Sequence, residues 1–160
     1  MGVQNVYMLS TTIPTQVKGG SMHAVAGNFE TLVADDIDTI YRLCRLPANA
    51  VILGIEINND AIAGLTDADI GLYETIEHGG AVKDADVYMD GTDLNAGSAI
   101  GSEVSGLSNI AIDAIGDQVY ENAGDTIPTP GAEYDLCMTV NSEITGAGTI
   151  AIRVKFAISS

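Results

Sequence analysis

Tryptophan is absent from this chain of 160 residues, phenylalanine occurs twice and tyrosine six times. A core must therefore be built from Val, Ile, Leu, Ala and Met, and a sugar-stacking cleft or a broad aromatic platform has little to be made from. Basic residues are almost as scarce, 6 against 22 acids, for a formal charge of −16. Like-charge repulsion on that scale opposes contact with a phosphate backbone, so a nucleic-acid partner is excluded. The two histidines, His23 and His78, leave a histidine metal cluster or His-based catalysis little to work with. The two cysteines, Cys44 and Cys137, match no zinc or redox spacing. They read as reduced thiols or as a disulfide between neighbouring strands. No apolar run approaches the roughly 20 residues of a membrane span, so no membrane partner is expected. The start, Met1-Gly2-Val3-Gln4-Asn5-Val6, carries no basic-then-apolar leader and no hydroxyl at the sixth position for myristoylation. The expectation is a soluble chain made in a cytoplasm.

What is present suits one all-β domain. A chain of this length can bury roughly two thirds of the surface its unfolded form exposes, without a disulfide framework or metal. Hydrophobic residues reach 46%, while 18 glycines and many Asn, Asp, Ser and Thr are spread along the whole chain. Turn formers distributed in that way punctuate many short strands. The acidity keeps a protein soluble at high local concentration, as display in many copies on an outer surface would require.

Residues 1–27 mix Val6, Tyr7, Met8, Leu9 and Ile13 with Thr, Ser and Gly and hold no sustained period. They read as an extended N-terminal arm, with the body at 28–160. In the body, Phe29 to Val33 reads as a strand ended by the acidic turn Asp35-Asp36-Ile37-Asp38. From Thr39 to Leu46 alternation places Ile40, Arg42, Cys44 and Leu46 on one face and Thr39, Tyr41, Leu43 and Arg45 on the other. Next, Val51, Leu53, Ile55 and Ile57 oppose Gly54, Glu56 and Asn58, with Ile52 out of phase, and Asp67 to Tyr73 reads as that strand's partner. Glu74 to Gly116 reads as loops around a short Val87-Tyr88-Met89 strand. Gln118 to Ala123 reads as a helical turn stopped by Gly124. Tyr134, Leu136, Met138 and Val140 face one way on a further strand, and Ile150, Ile152, Val154, Phe156 and Ile158 do so on the last. The pattern predicts a single-domain antiparallel β-sandwich or jelly-roll-like barrel, with strand order left open.

Chemistry is hard to find. No Gly-x-Ser-x-Gly elbow, phosphate-binding glycine loop or metalloprotease signature occurs. His78 reads as an exposed loop residue. The acidic stretch Asp84 to Asn95 is either a solvated turn or a loop of calcium ligands, and its spacing is not that of a helix-loop-helix calcium loop. Asp67 and Asp69 read as solvent-facing. A trimeric jelly-roll nucleotide hydrolase would need an Arg-Ser-Ser stretch and an Asp-Tyr pair in a glycine-rich loop, and neither is present. No catalytic residue, cofactor or metal site is therefore assigned, and the chain is expected not to be an enzyme. The basic minority is more informative: Arg42 and Arg45 sit on opposite faces of one strand, while Arg153 and Lys155 share a face of the last. In so acidic a chain these four read either as subunit-interface pairs or as ordinary surface pairs.

Three segments carry a resemblance. They are Asp38-Thr39-Ile40-Tyr41-Arg42-Leu43-Cys44-Arg45-Leu46-Pro47-Ala48-Asn49-Ala50-Val51-Ile52, then Asp69-Ile70-Gly71-Leu72-Tyr73, then Gly146-Ala147-Gly148-Thr149-Ile150-Ala151-Ile152. With the Val119 to Gly124 piece, they resemble the tailed-phage head decoration, or cement, proteins, in which a strand ending Leu-Pro-Ala precedes an apolar strand and a D-x-G-x-Y strand. The resemblance spans about residues 38–158. It implies a β-rich domain on the outer surface of a virion, bound to the major capsid protein and stabilising it, as a homo-oligomer for which a trimer is expected. The alternative is another appendage module, such as a head-fibre base or tail component. Tyr7, Met8, Leu9, Ile13, Arg42, Arg45, Arg153 and Lys155 are the candidate capsid or subunit contacts.

Overall fold

The computed structural model of the chain describes residues 5–7, 21–33, 35–98, 104–126 and 132–158, with backbone alone at 5–7. The strands are β1 (Asn5–Tyr7), β2 (Ser21–Thr31), β3 (Ile40–Pro47), β4 (Ala50–Asn59), β5 (Ala68–Glu74), β6 (Val82–Thr92), β7 (Val104–Ser105), β8 (Glu133–Val140) and β9 (Gly148–Ile158). A 3-10 turn, Ile76–His78, and a single helical turn, α1 (Val119–Asn122), complete the described elements. The first sheet runs β1-β3-β8-β5-β6 and the second β2-β9-β4-β7. Every pairing is antiparallel except β1 with β3. This is the β-sandwich that the alternation implies.

The two inner faces make the core. On β9, Ile150, Ile152, Val154, Phe156 and Ile158 are buried, the face read from the sequence. They meet Leu136, Met138 and Val140 of β8 and Ile70 and Leu72 of β5 in one cluster. Phe29 of the second sheet lies against Tyr41 of the first, ring centroids 4.7 Å apart. Each such side chain contributes about 1.5–3 kcal/mol on burial, against at most about 1 kcal/mol for an exposed ion pair. The apolar rows, not the charges, therefore decide which way each strand faces.

Several expectations are corrected. Strand β2 already begins at Ser21, ahead of the body start expected at Asn28, and Asn5–Tyr7 joins the first sheet beside β3. Met8, Leu9 and Ile13 lie outside the described residues. Strand β5 is not the partner of β4 but sits between β8 and β6 in the other sheet. Its Ala68 to Tyr73 are buried without alternation, as a central strand covered on both faces must be.

Bulges account for the remaining slips. One extra residue reverses the facing of everything beyond it. A bulge at Leu43, between Arg42 and Cys44, puts Arg42 and Arg45 on the same face of β3 instead of opposite faces. A second lies between Ile52 and Gly54, so Ile52 is buried and Leu53 is exposed, the reverse of the periodic reading. The Asp84 to Asn95 stretch is largely strand β6 rather than a loop. Its period is hidden because Ile70 to Leu72 on β5 faces Met89 to Asp84 on β6, two steps against five. Helical turn α1 forms as the sequence suggests, with Gln118 and Glu121 making a reciprocal capping box and Gly124 at φ 75 ending it.

Candidate functional site

The outer face of the first sheet is sealed by the chain itself. Arg42, brought to this face with Arg45, donates from Nη1 to Asp135 Oδ2 at 2.7 Å and to the Glu74 carbonyl at 2.9 Å, and from Nη2 to the Gly80 carbonyl at 3.2 Å. Its guanidinium also lies 5.9 Å from the centroid of the Tyr73 ring. Arg42 and Asp135 are both buried, a geometry in which each ion needs the other. Arg45 donates from Nε to the second oxygen of Asp135 at 3.0 Å and from Nη2 to Glu77 at 2.8 Å. Partial burial is the largest influence and opposes the Arg45 charge, but its hydrogen bonds to Asp135 and Glu77 and the negative charges of both together outweigh it, and its pKa is raised. Lys83 closes the set on Asp125 at 3.3 Å and Glu74 at 3.5 Å.

The D-x-G-x-Y strand holds this cover in place. Asp69, expected at the solvent face, is buried and accepts from Gly91 N at 2.8 Å and Asn141 Nδ2 at 2.6 Å. A Cβ at Gly71 would stand 2.0 Å from the Asp84 carbonyl oxygen, so only glycine admits the wide bulge of β6. Tyr73 shares a hydrogen bond with Thr139 Oγ1 at 2.7 Å. These residues brace the subunit; they do not build a cleft.

Groups that would do chemistry are held neutral or engaged. Burial, and then the Asp135 charge, push the Cys44 thiol up to about 12. Burial likewise raises Cys137, with Arg42 opposing it, and both thiols are free. A thiol held protonated is a poor nucleophile. Tyr41 is raised by burial and by its hydrogen bond to Asp35. His78 is exposed, as expected, and bonds Thr75 Oγ1 at 2.8 Å. His23 lies on β2, stacked on Phe156 at 5.4 Å between ring centroids. Among the described residues, no group of three or more His, Cys, Asp or Glu is placed to hold a metal.

The outer face of the second sheet is different. Outward positions of β2 and β9 carry Ala24, Ala26, Ala151 and Ala157, with Met22 at 73% exposure on the same row. Arg153 and Lys155 rise from this field at 57% and 41% side-chain exposure. They share one carboxylate: Arg153 Nη1 donates to Glu56 Oε2 at 2.9 Å, and Lys155 Nζ donates to Glu56 Oε1. The Lys155 hydrogen bond lowers the Glu56 pKa most, and the Arg153 charge adds to it. Beside Arg153 and Glu56 opens a groove of about 470 Å³, lined further by Leu53, Gly54, Ile55, Val104, Ser105 and Leu107. Leu53, turned out by the bulge, is 50% exposed, and Gly54 leaves its side of the groove empty. Sequence reading found Arg153 and Lys155 as a pair but missed Leu53 and Gly54. The signal was Ile52, whose break in phase marks the bulge.

Of the other candidate contacts, Tyr7 lies on β1 beside Arg42, while Met8, Leu9 and Ile13 fall outside the described residues. Arg42 is enclosed by its own chain and Arg45 is half-buried.

No family model matches the sequence, and no curated protein matches it. The fold does have solved counterparts. A chain in the capsid asymmetric unit of cyanophage Pam1 is similar over 94% of both chains, with a TM-score of 0.53 and 15% identity. A chain in the capsid of Ralstonia phage GP4 is similar over 98% of this chain and 99% of its own, with a TM-score of 0.59 and 13% identity. At these identities the likeness is one of fold. Near-equal coverage means that the matched chains are about as long as this one.

Proposed function

We propose that this chain is a structural component of a tailed-phage virion that binds the outside of the shell formed by the major capsid protein and stabilises it, as a homotrimer and without catalysing a reaction. The observation that carries the reading is the shared sandwich, end to end, with chains of similar length in two phage capsid structures. Three features of the molecule support it. Its free thiols, Cys137 buried and Cys44 half-buried, have raised pKa values, one sheet face is closed by internal ion pairs, and the other exposes a row of small side chains. A repeated, shallow contact suits a shell, where many modest contacts add through multiplicity. The charge of −16 keeps unbound copies apart at high concentration.

Purified protein added to empty shells that lack it is expected to co-sediment with them and to raise their thermal disruption temperature. A map of the native particle by electron microscopy should show it on the outer surface of the head. Failure to rebind, or density at a tail or fibre base instead, would overturn the reading.

A further inference from the structure

The ion pairs of this molecule are distributed unevenly. On the sealed side, carboxylates outnumber cations: Arg45 reaches Asp135, Glu77 and Glu133, and Lys83 reaches Glu74 and Asp125. On the open face of the second sheet the ratio reverses, because among the described residues Arg153 and Lys155 share the one carboxylate of Glu56. In a chain of charge −16, this is the described ion-pair cluster in which cations outnumber carboxylates, with Glu30 farther along the outward row of β2. An acidic partner is attracted here more than to the carboxylate-rich cluster on the sealed side.

The surroundings fit a protein segment rather than a small anion. Ala24 and Ala26 lie beside Lys155 and Arg153 in the β2–β9 register, so another backbone can come close. The groove at Leu53, Gly54, Val104 and Leu107 runs alongside Arg153, with Ser105 and Glu56 also in its lining, and so sets aliphatic side chains next to the cation.

We propose that the open face of the second sheet is the attachment surface, and that its occupant is an acidic segment of the shell protein whose carboxylate meets Arg153 and Lys155 while a neighbouring aliphatic side chain enters the Leu53–Gly54 groove. This rests on the decoration reading above and assigns it a face. Glu56 competes with the incoming carboxylate and tempers the affinity.

The test uses the full chain and shells that lack it. Arg153→Gln with Lys155→Gln is expected to weaken binding about tenfold or more at low salt, with the thermal midpoint kept because both side chains are exposed. Leu53→Asp should weaken it similarly. Glu56→Gln should strengthen binding, which a merely structural role for the pair would not produce. Lys83→Gln, on the opposite sheet, should bind like the wild type. Raising salt should weaken the wild type but leave the double glutamine variant little changed. If the wild type binds and the double variant binds equally well, the assignment of this face is overturned while the decoration reading stands. If the wild type itself does not bind, both fall. If the double variant instead sediments as a smaller oligomer than the wild type, the face joins copies of this chain, and the shell segment is ruled out as occupant.

Discussion

Arg42 and Arg45 show how little the residue type alone decides. They are three positions apart on one strand and touch the same carboxylate, yet Arg42 is buried with Asp135 and Arg45 keeps a third of its side chain in solvent. Removing one partner of a buried pair leaves an uncompensated charge and costs several kcal/mol. Removing an exposed partner costs little. Arg42→Leu should therefore lower stability by about 3 kcal/mol, and Arg45→Leu by no more than about 1 kcal/mol, read as urea midpoints at constant slope. Equal losses would mean that Asp135 is neutralised by Arg45 alone. Both arginines were visible as a charged minority in an acidic sequence. Their common partner was not, because Asp135 is more than eighty residues away and nothing local marks it.

At the scale of elements, the bulges separate what periodicity can reveal from what it cannot. Strands β8 and β9 carry no inserted residue of their own, and their inward rows match the sequence reading position by position, with β8 buried on both faces. Strands β3, β4 and β6 each contain a register shift, and there the reading failed at or beyond the shift. A bulge is a property of a pair of strands, so one strand's sequence carries only a trace of it, as at Ile52. Gly71 shows the same dependence on a neighbour. Its Cβ site is filled by the Asp84 carbonyl and Ala85 backbone of β6. Gly71→Ala should cost about 2–3 kcal/mol through overpacking and should raise hydrogen exchange in β6 specifically. Gly54→Ala, with nothing within 4 Å of its Cβ site, should change stability by about 0.5 kcal/mol or less. If both behave alike, the close approach of β6 to β5 is not what requires glycine.

For the whole molecule, the tyrosines tie stability to alkaline pH. Burial is the largest cause raising the pKa of Tyr41, Tyr73, Tyr88 and Tyr134; the Asp35 hydrogen bond adds at Tyr41 and the Asp125 hydrogen bond adds at Tyr134. In the unfolded chain these phenols ionise near their ordinary value of about 10. The native state thus binds more protons above that pH, and stability falls as pH rises. Their contribution is fully present below about pH 10 and is lost progressively above it. The urea midpoint should be lower at about pH 11 than at about pH 8, and tyrosinate absorbance should rise in step with unfolding. Tyrosinate forming in the still-folded protein would count against these burials.

By itself, the amino-acid sequence determined the all-β class, the inward rows of β8 and β9, the capped turn at α1 and an acidity hostile to nucleic acid, because composition and local periodicity act within a few residues. The tertiary structure alone decided that β5 belongs to the first sheet, that Arg42 and Arg45 face the same way, and that Leu53 is turned outward beside Arg153. Those outcomes depend on register between distant strands, where one inserted residue reverses a face.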